Sequence, residues 1–295
     1  MRLVKNLCRI IVGIVFIYSG FVKGIDPLGS DYKFTDYFNA FGMGWMNATT
    51  LFFSFALSLA EFLIGIALLF NLWVSRMAWG SLLFMFFFTP LTLVSALTNP
   101  VSDCGCFGDA TLLTNWQTFW KNIILLLLAI MIFVYRKEYK SSLPLVGQFS
   151  FLALAGAGML CLSVYCYRHL PVLDFRPYAV GKNITEGMRL PEGTEPDRYE
   201  VTLKYKNKQT GEVQSFTEEN YPWQDTLNWE YESSSERLVK NGYITPIHDL
   251  VIEHPTLGNI TEEILEDDNH TILAVAYNLT QSDVQYQPAI NRLAE

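Results

Sequence analysis

The 295-residue sequence predicts an all-α membrane domain of five transmembrane helices, followed by a small α+β domain outside the membrane. Three observations carry this fold class. Five apolar runs, residues 7–21 (extended to Lys23), 50–72, 77–97, 119–135 and 145–165, approach or exceed the length that crosses a bilayer, about 20 residues at about 1.5 Å of rise each. Residues 1–166 carry ten Lys/Arg against seven Asp/Glu, a net of +3, and are rich in Leu, Phe, Ile, Ala and Gly. Residues 167–295 carry eleven against twenty-two, a net of −11, with the mixed polarity of a domain in water. Neither half concentrates the Lys and Arg that phosphate binding needs, which excludes a nucleic-acid partner and leaves the lipid bilayer as the environment of the first half.

The first run follows Arg2, Lys5 and Arg9, as a signal peptide would, but no small-x-small cleavage site follows it and four further runs do. It therefore reads as an uncleaved span. In the third run Pro90 has no N–H to donate, which predicts a kink after Thr89. With the N-terminus in the cytoplasm, the inner side receives Arg2, Lys5, Arg9, Arg76, Arg136, Lys137 and Lys140, and the outer side only Lys23, Lys33 and Lys121. That bias sets the orientation. Five crossings then put the loops 24–49 and 98–118 and the acidic half outside. The fifth span falls in 141–167, and an extracytoplasmic domain is expected over 168–295.

The outer loop 98–118 contains "SDCGCFGDA", with Cys104 and Cys106 one glycine apart. Disulfides form and persist on that side of a membrane. A bridge between residues i and i+2 closes a very small ring, so such a bond is strained and easily reduced, which suits exchange better than stapling. Gly105 lets the backbone make the approach. Redox exchange, an inert staple, a metal site and two idle thiols stay open as readings of the pair, although no histidine lies near and zinc ligands usually have wider spacings, so no metal is expected. Cys166 ends the fifth span on the same side, and Cys161 lies five residues deeper. A relay from the loop through Cys166 to Cys161 competes with plain packing of small polarizable side chains beside Gly156 and Gly158.

Glu61 falls in the middle of the second span, where a charge costs several kcal/mol unless it is protonated, paired or beside a wet cavity. Lys23 is a candidate partner, reaching in from the end of the first span. Glu61 is thereby a candidate acceptor of protons released by thiol oxidation, or an interhelical hydrogen-bonding group.

The stretch "RIIVGIVFIYSGFVKGIDP", with Ser19-Gly20 and Lys23 before Asp26-Pro27, resembles the first helix of the DoxX/MauE group of bacterial membrane proteins. "DCGCFGD" resembles the Cys-x-Cys loop of its MauE branch, the methylamine utilisation proteins. The resemblance covers about residues 5–140 and implies a four-helix bundle over 1–140, to which this chain adds a fifth transmembrane helix over 141–167. It implies a bacterial inner-membrane protein tied to extracytoplasmic thiol-disulfide chemistry, with an extracytoplasmic thiol protein as partner. Four helices with cysteines at the outer face are also similar in architecture to quinone-linked disulfide oxidases, which makes a quinone a candidate cofactor by analogy alone. The competing functions are a non-enzymatic scaffold with a structural disulfide and a small-solute transporter that uses Glu61.

In the second half, residues 198–217 alternate Val201, Leu203 and Tyr205 with polar neighbours and turn near Gly211, which predicts a β-hairpin. Residues 244–265 add a strand and a turn, 270–279 read as a strand buried on both faces, and 285–294 as a helix. From 243 onward this order resembles the opening of a thioredoxin-like or peroxiredoxin-like domain. No cysteine follows Cys166, so such a domain would carry no dithiol. The resemblance also ends at the first helix, which expects either a truncated chain or another fold. Trp223 and Trp229, among tyrosines in "NYPWQDTLNWEY", are expected in a core.

Overall fold

The computed structural model describes residues 2–295 except 100, 102–104, 142, 196–197, 218–219, 241, 244, 248–249, 268–270, 272, 274, 276–287, 289–291 and 293–295. The chain forms two compact units, residues 1–180 and 181–295. Residues 168–180 thus lie with the membrane unit.

The first unit contains α1 (Arg2–Ile25), α2 (Pro27–Ala40), α3 (Thr50–Leu69), α4 (Val74–Thr98), α5 (Asn115–Val134) and α6 (Leu145–Arg168). All but α2 are long and apolar enough to cross a membrane, which makes the protein a multi-pass membrane protein. α1 packs on α3 and α5, and α4 closes the ring against α5 and α3. This is the expected four-helix bundle. α6 lies against α3, α1 and α2.

The α1–α3 contact is the closest in the bundle because both helices lack side chains where they touch. A Cβ on Gly20 would lie 2.5 Å from the Phe62 nitrogen and 2.6 Å from the Ser58 oxygen, and one on Gly65 would lie 2.5 Å from the Ile17 nitrogen. Between lipid-embedded helices apolar burial supplies little drive, so backbone approach at small residues takes its place. At the far end of α3 the Arg9 guanidinium donates to the carbonyls of Leu68 and Leu69, in the last turn, where helix carbonyls lack their i+4 partners.

Residues 27–40, expected within a loop, form α2. Asp26 accepts from the Gly29 N–H at 3.0 Å and Pro27 opens the first turn, a side-chain cap followed by a residue that has no N–H to satisfy. α4 continues through Pro90 and ends at Asn99, whose φ is +45°.

In the second unit α7 (Ile184–Met188) precedes β1 (Arg198–Asn207), β2 (Val213–Thr217) and β3 (Trp229–Lys240), an antiparallel sheet in the order β2-β1-β3. The expected hairpin is β1 and β2, pairing Leu203 with Phe216, and Gly211 turns it at φ +75°. β3 was not expected, since "WEYESSSERLVK" is polar and serine-rich; it is held by pairing along the full length of β1. Trp229 meets Phe216 edge-on at 5.3 Å, whereas Trp223 is exposed. β4 (Glu253–His254) and β5 (Gly258–Asn259) form a two-stranded ribbon before α8 (Thr261–Leu265). The expected run 270–279 and the helix 285–294 fall mostly outside the described residues. Of that run, Thr271, Leu273 and Val275 are described and all are exposed, unlike a strand buried on both faces. The thioredoxin-like resemblance from 243 onward rests largely on these same segments.

Candidate functional site

Gly20 brings α1 against α3, and one turn on from it Lys23 points at Glu61. The Lys23 Nζ donates to Glu61 Oε1 at 2.5 Å, with the two side chains 14% and 4% exposed. The other carboxylate oxygen, Oε2, is buried and has no hydrogen-bond partner among the described residues.

That pair forms part of the wall of a cavity of about 470 Å³ bounded by α1 to α5 and the cysteine loop. α2 supplies Phe34, Tyr37 and Phe38 to it and its C-cap residue Phe41 a fourth ring, at the spacing i, i+3, i+4, i+7 of one helical face. α4 and α5 add a polar step, the Asn122 Nδ2 donating to Thr92 Oγ1 at 3.2 Å between them. Ser19, Ser30, Lys33 and Lys121 also line it, and the remaining wall is apolar and largely aromatic.

Cys106, half-buried, also lines this cavity. Its loop is anchored to α1. The Ser19 hydroxyl donates to the Cys106 carbonyl at 2.8 Å, Tyr18 reaches Thr111 at 3.0 Å, and the Tyr18 and Phe107 rings meet edge-on at 5.2 Å. The Lys121 ammonium sits 4.1 Å from the centre of the Phe107 ring. Gly105 and Gly108, at φ +59° and +51°, make a turn that a side chain would strain, and the Gly108 N–H donates to the Gly105 carbonyl at 3.1 Å. Cys104 lies outside the described residues, so its pairing with Cys106 does too.

Cys166 is buried and Cys161 exposed, and neither lines the cavity. Five residues of α-helix turn about 140° between them, so they face different surroundings. The structure brings together Glu61, Lys23 and Cys106 around one cavity and leaves the two α6 cysteines apart from it.

Beside the loop, Pro171 and residues 173–176 line a small cleft with Asp26, Lys33 and Asp109. Arg176 donates twice to Asp174, at 2.8 and 2.6 Å. This hydrogen bonding holds the Asp174 carboxyl below its ordinary pKa, against the opposing effect of burial.

Ser19, Asn122 and the α2 aromatics were not among the residues expected at a site. The α2 stripe was the available signal, since its four aromatic residues already carry helical spacing. Ser19 was noted only as part of a motif, because a serine hydroxyl on an apolar helix does not announce which loop carbonyl it will bind.

Residues 1–135 match the family model of methylamine utilisation protein MauE, and residues 199–241 match a domain of unknown function, DUF8463. No curated protein and no solved structure matches the chain. The helices α1 to α5 and the cysteine loop lie within the first match, so this part of the chain is similar to the MauE proteins.

Proposed function

We propose that the protein exchanges disulfides with an extracytoplasmic thiol protein through Cys104 and Cys106, from the outer face of a bacterial inner membrane. In the exchange, a partner thiolate attacks one sulfur of the Cys104–Cys106 bond and forms a mixed disulfide. A second partner thiolate then attacks that bond, leaving an oxidised partner and two cysteine thiolates, which take up the two protons the partner's thiols gave up; the reverse sequence reduces the partner. The observation that carries this reading is the setting of Cys106. It is half-buried beside an open cavity, on a turn held by Ser19 and two positive-φ glycines, where a fixed backbone leaves the sulfur approachable. Supporting the orientation is the excess of Lys and Arg at the opposite loops.

The MauE match supports a link of the membrane unit to methylamine utilisation. The unit after residue 180, with no cysteine in it, serves in this reading as a docking module, whether or not its end is thioredoxin-like. Glu61, beside Lys23, passes on a proton released when the cysteine thiols are oxidised again.

The test is labelling with a membrane-impermeant maleimide in intact cells, before and after mild reduction, combined with Cys104→Ser and Cys106→Ser. Exchange predicts a pair that shifts with mild reductant and a mixed disulfide trapped by one of the two variants. A bond that resists reduction, with no trapped partner, means a structural staple. Labelling only after the membrane is broken overturns the orientation.

A further inference from the structure

We propose that the cavity bounded by α1 to α5 binds a lipid-soluble quinone, which accepts the electrons of Cys104 and Cys106; this rests on the exchange reading above and names its terminal acceptor. The step balances with no other reagent. Two S–H bonds break and one S–S bond forms, while the quinone takes two electrons and two protons to become the quinol. The pair is thereby returned to the disulfide and the partner is oxidised.

The cavity has the makings of a site for a flat ring with two opposed oxygens. Its volume, about 470 Å³, falls in the range of small-molecule pockets, about 300–1,000 Å³. Phe34, Phe38, Phe84 and Phe88 line it, and aromatic faces and edges favour a planar ring over a flexible chain. Its polar lining combines the Lys23–Glu61 pair with the Asn122–Thr92 step, two serines and the further cations Lys33 and Lys121. Glu61 Oε2 is buried without a partner among the described residues, and a buried carboxylate oxygen left so is costly unless a ligand donor meets it. A quinol hydroxyl is such a donor. Lys23 complements it: an ammonium has three donors, and the bond to Glu61 Oε1 uses one, so a quinone carbonyl has a donor beside the acceptor its reduced form needs.

An acyl chain would fill the same apolar volume but offers nothing to Glu61 or Lys23. A polar solute would match that pair but not the aromatic wall. Cys106 lines the same cavity, which places a thiol of the proposed redox pair beside its proposed acceptor.

The experiment uses the full chain in lipid nanodiscs without oxygen. Binding is read in Cys106→Ser, where no electron transfer is needed, by photolabelling with an azido-ubiquinone, peptide mapping and displacement with decylubiquinone. Electron transfer is read in the reduced wild-type chain as decylubiquinol formed and thiols lost. The expected result is displaceable label on α2 and α3, and quinol and disulfide appearing in equal amounts. Filling the cavity by Leu57→Trp should weaken labelling about tenfold. Phe38→Trp makes the same test from α2 should the first variant lose its helix content. Label that is not displaced, or lies away from the cavity, overturns the proposal. So does a bound quinone that leaves the thiols reduced. Thiols that exchange with oxidised glutathione in a chain that takes no quinone would leave the exchange reading standing and remove only its acceptor; thiols inert to both would remove the two together.

Discussion

Lys23 and Glu61 stand 38 residues apart in sequence and form an ion pair of 2.5 Å between α1 and α3, almost sealed from solvent. The pair exists because the two backbones approach at Gly20 and Gly65, which leaves the Lys23 stem just enough length to meet a carboxylate on the facing helix. Each charge neutralises the other where lipid would not.

Removing one partner is therefore more harmful than removing both. Lys23→Met or Glu61→Leu leaves one buried charge unpaired and should each cost about 3 kcal/mol, whereas the double variant should recover most of that loss. Unfolding in mixed detergent micelles measures it. Glu61→Gln adds a functional arm: if the redox state of the cysteines and any turnover are unchanged, Glu61 is not the proton acceptor.

Gly20→Ala should destabilise the bundle. Its Cβ would meet backbone atoms of Phe62 and Ser58, which cannot rotate away, and forced overpacking costs about 1–3 kcal/mol. Gly158→Ala on α6 is the control, since no atom outside its own helix and chain neighbours lies within 4 Å of that Cβ. It should be neutral or slightly stabilising. Equal losses at both sites would refute the close-packing account.

Ser19→Ala should make Cys106 react faster. Losing the bond to the Cys106 carbonyl removes about 1 kcal/mol of restraint, which raises the population of an open loop about fivefold. Maleimide labelling rates read that change, and Ser19→Thr should restore the slow rate. An unchanged rate in Ser19→Ala would mean that the remaining contacts of Tyr18 and Phe107 hold the loop without it.

The residues of the first-helix motif were visible before their roles were. Ser19 holds the cysteine loop, Gly20 permits helix contact, Lys23 pairs with Glu61 and Asp26 caps α2. The five spans were legible because run length in lipid is a one-dimensional property. α2 was not, since its stripe of four aromatic residues is too short and too polar overall to register as a run; what it covers is a cavity made only when α1, α3, α4 and α5 assemble. The hairpin of β1 and β2 was legible from alternation and a glycine turn. β3 was not, because its place is set by long-range pairing with β1 rather than by its own composition.

Acid should loosen the segment 171–176 beside the cysteine loop. Asp174 has a lowered pKa in the folded chain, chiefly through the hydrogen bond from Arg176, so its contribution is fully present above the unfolded carboxyl value of about 3.9 and is lost as pH falls through the lower folded value. Arg176 keeps its charge throughout, so the change comes from protonation of Asp174 alone. Hydrogen exchange in 171–176, corrected for the intrinsic effect of pH, should accelerate below about pH 4, while exchange in α5 stays slow. In Asp174→Asn the segment should already exchange faster at neutral pH and show no further step. A step that persists in this variant would assign the acid response to other carboxyls at the cleft, Asp26 and Asp109, which also act on Arg176.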